Sequence, residues 1–129
     1  MRVRHLRSGR TLACNVEMAD SSWRRAKGLL GRPALDRCTG LWITPSSGIH
    51  TVGMRFPIDV IGLDAQGKVI RLWKSIPPQR ATALVLRMRS ALELSAGSIE
   101  QTGIQTGDVL FLEDDDQGAN EFLCDRCGR

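Results

Sequence analysis

Residues 58–63 and 68–73 are two apolar runs joined by Asp64-Ala-Gln-Gly67, and this unit constrains the fold more than any other stretch. Runs of this length suit strands and are too short for stable helices. The linking residues favour a tight turn, because Asp can bond the backbone two residues on and Gly takes a positive φ at no steric cost. The unit therefore reads as a β-hairpin. An isolated hairpin is marginal in water, so the rest of the chain must supply further strands and a covering layer.

Other segments can supply them. The start of the chain reads as a short strand, with a second at Thr11-Leu-Ala-Cys-Asn-Val-Glu17. Gly40-Leu-Trp-Ile-Thr44 is a compact apolar strand, ended by a turn at Pro45-Ser-Ser-Gly48. Residues 49–54 are too few and too polar for a helix and read as extended. Pro57 lacks an amide proton, which places it before the next strand and not within one. Residues 82–94 alternate apolar and polar positions, as one long strand or two short ones would. Residues 96–103 form a helical turn at most, and residues 109–112 a last core strand. A single helix is expected at about residues 22–30. Asp20-Ser-Ser22 offers its N-cap, Trp23, Ala26, Leu29 and Leu30 share one face, and Gly31 with Pro33 ends it. Many short strands and one helix predict a mainly β fold, either a β-sandwich or a partly open barrel. Residues 1–113 are expected to form one β-rich domain, and residues 114–129 an acidic, mobile tail.

The charge pattern excludes some partners. Residues 1–37 hold nine Lys/Arg and three acids, and residues 113–129 hold two and six. Arg2, Arg4, Arg7 and Arg10 alternate as the solvent face of an edge strand would, and few aromatics stand among them to stack on bases. A solvated face is expected here, not nucleic-acid binding. No run approaches the roughly 18 to 20 apolar residues of a membrane helix, so no membrane span is expected. The first residues lack the apolar stretch of an export signal, which predicts a cytoplasmic location. In that compartment Cys14, Cys38, Cys124 and Cys127 should remain thiols or bind metal.

Between residues 49 and 108 a series of blocks occurs in a fixed order. They are Ile49-His-Thr-Val-Gly-Met-Arg-Phe-Pro-Ile-Asp-Val60, Leu63-Asp-Ala-Gln-Gly67, Pro77-Pro78, Glu93-Leu-Ser-Ala-Gly97 and Gly103-Ile-Gln-Thr-Gly-Asp108. With Gly28-Leu-Leu-Gly-Arg32 upstream, the series resembles the prokaryotic family called domain of unknown function 192, over residues 11–112. The resemblance implies a jelly-roll-like β-sandwich with a short helix. It implies no activity. Some members carry export signals or are encoded near pilus-assembly genes, which implies a link to the cell envelope. Cys124-Asp-Arg-Cys127 lies outside the family pattern.

The candidate site is the polar loop at residues 49–59, with His50, Thr51, Met54, Arg55 and Asp59, joined by Glu93. Asp59 is the most informative of these. It stands in an apolar strand, where an unpaired carboxylate is costly, so it needs a partner such as Arg55, His50 or a backbone amide. The expected function is a non-enzymatic binding or accessory domain for a small-molecule or protein ligand. Two alternatives remain at this stage. One is a small hydrolase-like enzyme using His50, Asp59 and Glu93. The other is a zinc-stabilised adaptor, since Cys124 and Cys127 have the spacing of half a zinc site. No cofactor is expected otherwise, and no metal, because neither histidine has metal-site spacing.

Overall fold

The computed structural model describes residues 1–19, 35, 38–51 and 54–114. The described strands are β1 (Arg2–His5), β2 (Thr11–Ala13), β3 (Asn15–Ala19), β4 (Thr39–Ile43), β5 (Ile58–Leu63), β6 (Val69–Ile76), β7 (Ser90–Ser95) and β8 (Leu110–Glu113), with one helix, α1 (Ser98–Thr102). They form a three-stranded sheet, β2-β1-β8, and a five-stranded sheet, β3-β4-β7-β5-β6. This is the expected mainly β, two-sheet arrangement, and among the described residues the sheets do not close into a barrel. The helix expected at residues 22–30 lies outside the described residues, as do residues 115–129 of the expected tail.

The hairpin forms as β5 and β6, and it reaches beyond its own sheet. Gly67 has φ +82°, and its carbonyl accepts the amide of Leu110 at 2.9 Å. A bridge between Lys68 and Val109 continues this contact, so the hairpin turn joins the small sheet. Gly62 is required for space. A Cβ there would lie 2.9 Å from the Met88 sulfur and 3.2 Å from the Trp73 ring.

The apolar residues divide into two layers. Val3, Leu12, Trp42, Ile61, Leu63, Leu92, Leu94 and Leu110 pack between the sheets. Leu41, Ile43, Ile49, Met54, Phe56, Ile58, Val60 and Met88 cover the outer face of the large sheet. Strand β5 is consequently buried at every position, and β7 at all but its last. That double burial explains the continuous apolar runs, because only one-faced strands show a clean alternation.

Three local expectations need correction. The strand expected at residues 11–17 divides at Cys14, where the amides of Cys14 and Asn15 both donate to the Cys38 carbonyl at 2.9 and 3.0 Å. The chain changes sheets there, and β3 then pairs in parallel with β4. Residues 82–89 are not a strand. Val85 donates to the Ser47 carbonyl and Met88 to the Val85 carbonyl, which makes a turn where the ladder would have run. Finally, β1 is the centre of its sheet and not an edge. Arg2 is buried, its Nε donating to Glu113 Oε1 at 2.7 Å. That hydrogen bond, with help from Arg4, holds the Glu113 carboxyl below the usual carboxylate range against the opposing effect of desolvation.

Gly67→Ala tests the link between the sheets. An added Cβ would meet the Leu110 carbonyl oxygen at 2.5 Å, a backbone atom that cannot swing aside. Together with the positive φ, the substitution should cost about 2 kcal/mol or more, read as a lower urea midpoint. An unchanged midpoint would show that the turn relaxes freely.

Candidate functional site

Asp59 is fully buried at the second position of the hairpin's first strand, in register with Leu94 of β7. Strand alternation turns its side chain to the inter-sheet face, with Ile61 and Leu63. Two amides meet the carboxylate there. Ser75 N–H donates to Oδ1 at 2.8 Å, and Ile99 N–H donates to Oδ2 at 2.8 Å.

Both donors are amides that regular structure leaves without a ladder or helix acceptor. The β5–β6 register advances two residues from Ile58 to Val60 and three from Ile76 to Trp73, so β6 bulges at Lys74 and Ser75. Ser75 has φ 49°, and its amide turns from the ladder toward Asp59. Ile99 stands in the first turn of α1, whose amides have no intrahelical acceptor, and the Gly97 N-cap has no side chain to provide one. Asp59 therefore caps a helix and closes a bulge with one carboxylate.

The other predicted site residues are placed differently. Arg55 is exposed, and Asp59 spends its carboxylate on backbone amides instead. Glu93 is fully buried on β7, paired with Val60 and Leu41, so its side chain takes the outer-layer face of the sheet. The two carboxylates thus occupy opposite faces and do not share a pocket. Met54 is buried in the outer layer. Trp73 is half-buried against that layer, with the Arg71 guanidinium 5.2 Å from its ring centre.

His50 and Thr51 do come together, in a joint between two loops. His50 bridges Ala81, and Thr51 is fully buried. Thr51 Oγ1 donates to the Pro77 carbonyl at 2.7 Å and accepts the Arg80 amide at 2.9 Å. The Thr51 amide donates to the Arg80 carbonyl at 2.7 Å, and the Ile49 amide to Thr82 Oγ1 at 3.0 Å. Residues 44–51 are fastened in this way to residues 77–89, and Met54 and Phe56 share the apolar layer of Met88. The exposed parts of the assembly include Arg55, Arg80, Leu84, Leu86, Arg87 and Arg89.

A second polar cluster escaped the sequence reading. His5 Nδ1 accepts the Ser8 amide at 3.1 Å and lies 2.8 Å from Ser8 Oγ. A backbone N–H can only donate, so Nδ1 is the acceptor in that contact, and Nε2 lies 3.4 Å from Asp108 Oδ2. These residues border a cleft of about 130 Å³ together with Arg10 and Thr102. His5 and Asp108 are far apart in sequence, and His5-x-x-Ser8 before a glycine was the only local sign.

Cys14 is a thiol, as expected, and one other described cysteine departs from expectation. Cys38 is disulfide-bonded, where a thiol was expected. Cys124 and Cys127 lie outside the described residues. Among the described residues no group of three or more His, Cys, Asp or Glu side chains could hold a metal. No described helix is long and apolar enough to cross a membrane.

Asp59→Ala should destabilise the fold by about 1 to 3 kcal/mol in urea unfolding, because the buried Ile99 amide and the part-buried Ser75 amide lose their acceptor. Asp59→Asn should fall between, since its amide nitrogen cannot accept. Wild-type stability in Asp59→Ala would refute the anchoring role.

The family model for DUF192, described as "Uncharacterized ACR", matches residues 3–112. A protein of unknown function from Novosphingobium aromaticivorans has a similar structure, with a TM-score of 0.73 and 21% identity, covering 87% of this chain and 84% of that one. A candidate transcription regulator from Sinorhizobium meliloti gives a TM-score of 0.69 at 24% identity, covering 85% and 91% of the two chains. No curated protein matches. At these identities the likeness concerns the fold.

Proposed function

The chain belongs to the DUF192 family, and from that premise we propose that it is a non-enzymatic binding or accessory domain whose recognition surface is formed by the loop residues 44–51 and 54–57 together with residues 77–89. The observation that carries this reading is the joint at Thr51. A buried side chain with two backbone partners, flanked by further cross-loop hydrogen bonds, holds the surface in one shape before any partner arrives. Preorganised loops lose little conformational entropy on binding. The exposed arginines of this surface favour a partner with negative charge. Asp59, the strongest sequence candidate for chemistry, serves on this reading to hold the scaffold behind the loops. A link to envelope functions, as the family resemblance implies, accords with an accessory role.

The test is a photocrosslinking amino acid placed at Arg55, compared with one at Gln66 on the remote hairpin turn, in the native host. A discrete adduct is expected at Arg55 and none at Gln66. The same adducts at both positions, or none at either, would sink the proposal.

One arrangement favours a second reading, a serine hydrolase at the other polar cluster. Ser8 Oγ stands at hydrogen-bonding distance from His5 Nδ1, and Asp108 faces the other nitrogen. That is the order of nucleophile, base and orienting acid, on the edge of a cleft. The local turn accounts for the same contacts without catalysis, since the Ser8 amide shares Nδ1 and Ser8 Oγ accepts the Arg10 amide at 3.2 Å. A fluorophosphonate probe separates the two readings. Labelling that disappears in Ser8→Ala and in His5→Ala would establish the hydrolase; an unlabelled wild-type chain would leave a structural turn.

A further inference from the structure

The binding-surface reading leaves open what the loops bind, and the tip of the second loop speaks to this. Leu84 is 78% exposed and Leu86 is 91% exposed, in a domain whose other leucines are mostly buried. Their exposure does not come from slack chain. Met88 donates its amide to the Val85 carbonyl at 3.1 Å, closing a turn with Leu86 and Arg87 at its apex. Met88 is buried beneath the turn, Val85 packs on the same layer, and Val85 N–H is fixed to the Ser47 carbonyl at 2.9 Å. Arg89 Nη1 donates to the Leu86 carbonyl at 3.1 Å, which braces the apex from behind. The backbone is thus held so that two leucines project into water.

The charged residues of this loop have one sign. Arg80, Arg87 and Arg89 belong to the same loop and are exposed. Along the chain no carboxylate occurs between Asp64 and the buried Glu93, while six Lys or Arg residues do, all exposed. An apolar tip on a loop whose charged residues are all cations is complementary to a surface with anionic groups outside and hydrocarbon beneath. The tip is convex and belongs to neither described cleft, which are lined by residues elsewhere. A soft, flat layer accommodates such a tip directly, whereas an acidic polypeptide would need a matching apolar hollow.

Resting on the proposed loop surface, we propose that the partner of these loops is an anionic lipid membrane surface, entered by Leu84 and Leu86 and held at the headgroups by Arg80, Arg87 and Arg89. The domain docks on the bilayer and does not cross it. Apolar insertion and headgroup attraction act together, as for other interfacial anchors, so either contribution can be removed separately.

The experiment is co-sedimentation of the full chain with two kinds of vesicle, pure phosphatidylcholine and an equal mixture of phosphatidylcholine and phosphatidylglycerol. Binding is expected to the mixed vesicles, to weaken with added salt, and to be marginal with the neutral ones. L84S/L86S should reduce partitioning by roughly tenfold or more, and R80Q/R87Q should reduce it while removing most of its salt dependence. All four side chains are exposed, so the variants should melt like the wild type, and thermal unfolding of each confirms it. Failure to bind the mixed vesicles overturns the lipid assignment. So does equal binding to both kinds, or binding indifferent to the leucines. Capture on immobilised polyglutamate with vesicles left unbound would assign an acidic polypeptide instead. If vesicles fail while the Arg55 crosslink persists, only the lipid assignment falls; if both fail, the loop surface falls as well.

Discussion

Two hydrogen bonds to a single carboxylate hold the parts of this domain in register. Asp59 lies where the hairpin, the central strand β7 and helix α1 meet, and it accepts one amide from a strand bulge and one from the helix. Neither donor has an acceptor in its own element, and the Ile99 amide, unlike that of the exposed Ser75, is out of reach of water. An apolar residue at this position would fill the space and strand both amides. A carboxylate offers strong acceptors pointing in two directions, and hydrogen bonds to a charged group are the stronger kind. The desolvation it suffers is offset by being fully engaged.

That anchor permits a five-residue helix. A helix this short has little intrinsic stability, because its nucleation cost is spread over very few bonds. Here glycines at both ends, Gly97 at φ 93° and Gly103 at φ 73°, end it sharply. Ile99 inserts in the inter-sheet core, and Asp59 holds the Ile99 amide. Tertiary contacts therefore impose the helix on a segment whose propensity would not sustain it. The same applies to the bulge, whose positive φ at Ser75 is strained for a side-chain-bearing residue and endures because its amide is held.

These relations explain what the sequence could and could not disclose. The hairpin was legible because Asp64 and Gly67 prescribe a turn locally, and Pro57 marked the start of β5 for the same kind of reason. The need of Asp59 for a partner was legible too, and a backbone amide was among the expected choices. Which amides was not, since Ser75 and Ile99 are brought there by long-range pairing. The opposite orientation of Glu93 depended on register, which an isolated strand does not carry: one residue of slip would have placed it beside Asp59. Residues 82–89 misled because their alternation of apolar and polar residues resembles a strand. In the fold Val85 and Met88 face the protein while Leu84 and Leu86 face water, a division that does not follow the two-residue period of a strand. His5 and Asp108 gave no signal of meeting until β1 and β8 paired.

A buried polar residue in an apolar segment is commonly taken as a mark of chemistry, and residues 49–59 show why the inference needs geometry. Of the five residues singled out there, Thr51, Met54 and Asp59 are buried, and Thr51 and Asp59 spend their oxygens on backbone amides and carbonyls. They fix the position of the loop and the strand that follows it. The residues that meet solvent, Arg55 here and the leucines and arginines of residues 80–89, are ordinary in sequence and unusual only in how they are presented. A motif of this kind specifies a platform. Its function resides in side chains that the platform holds outward, and those can change from one member of a family to the next without disturbing the fold.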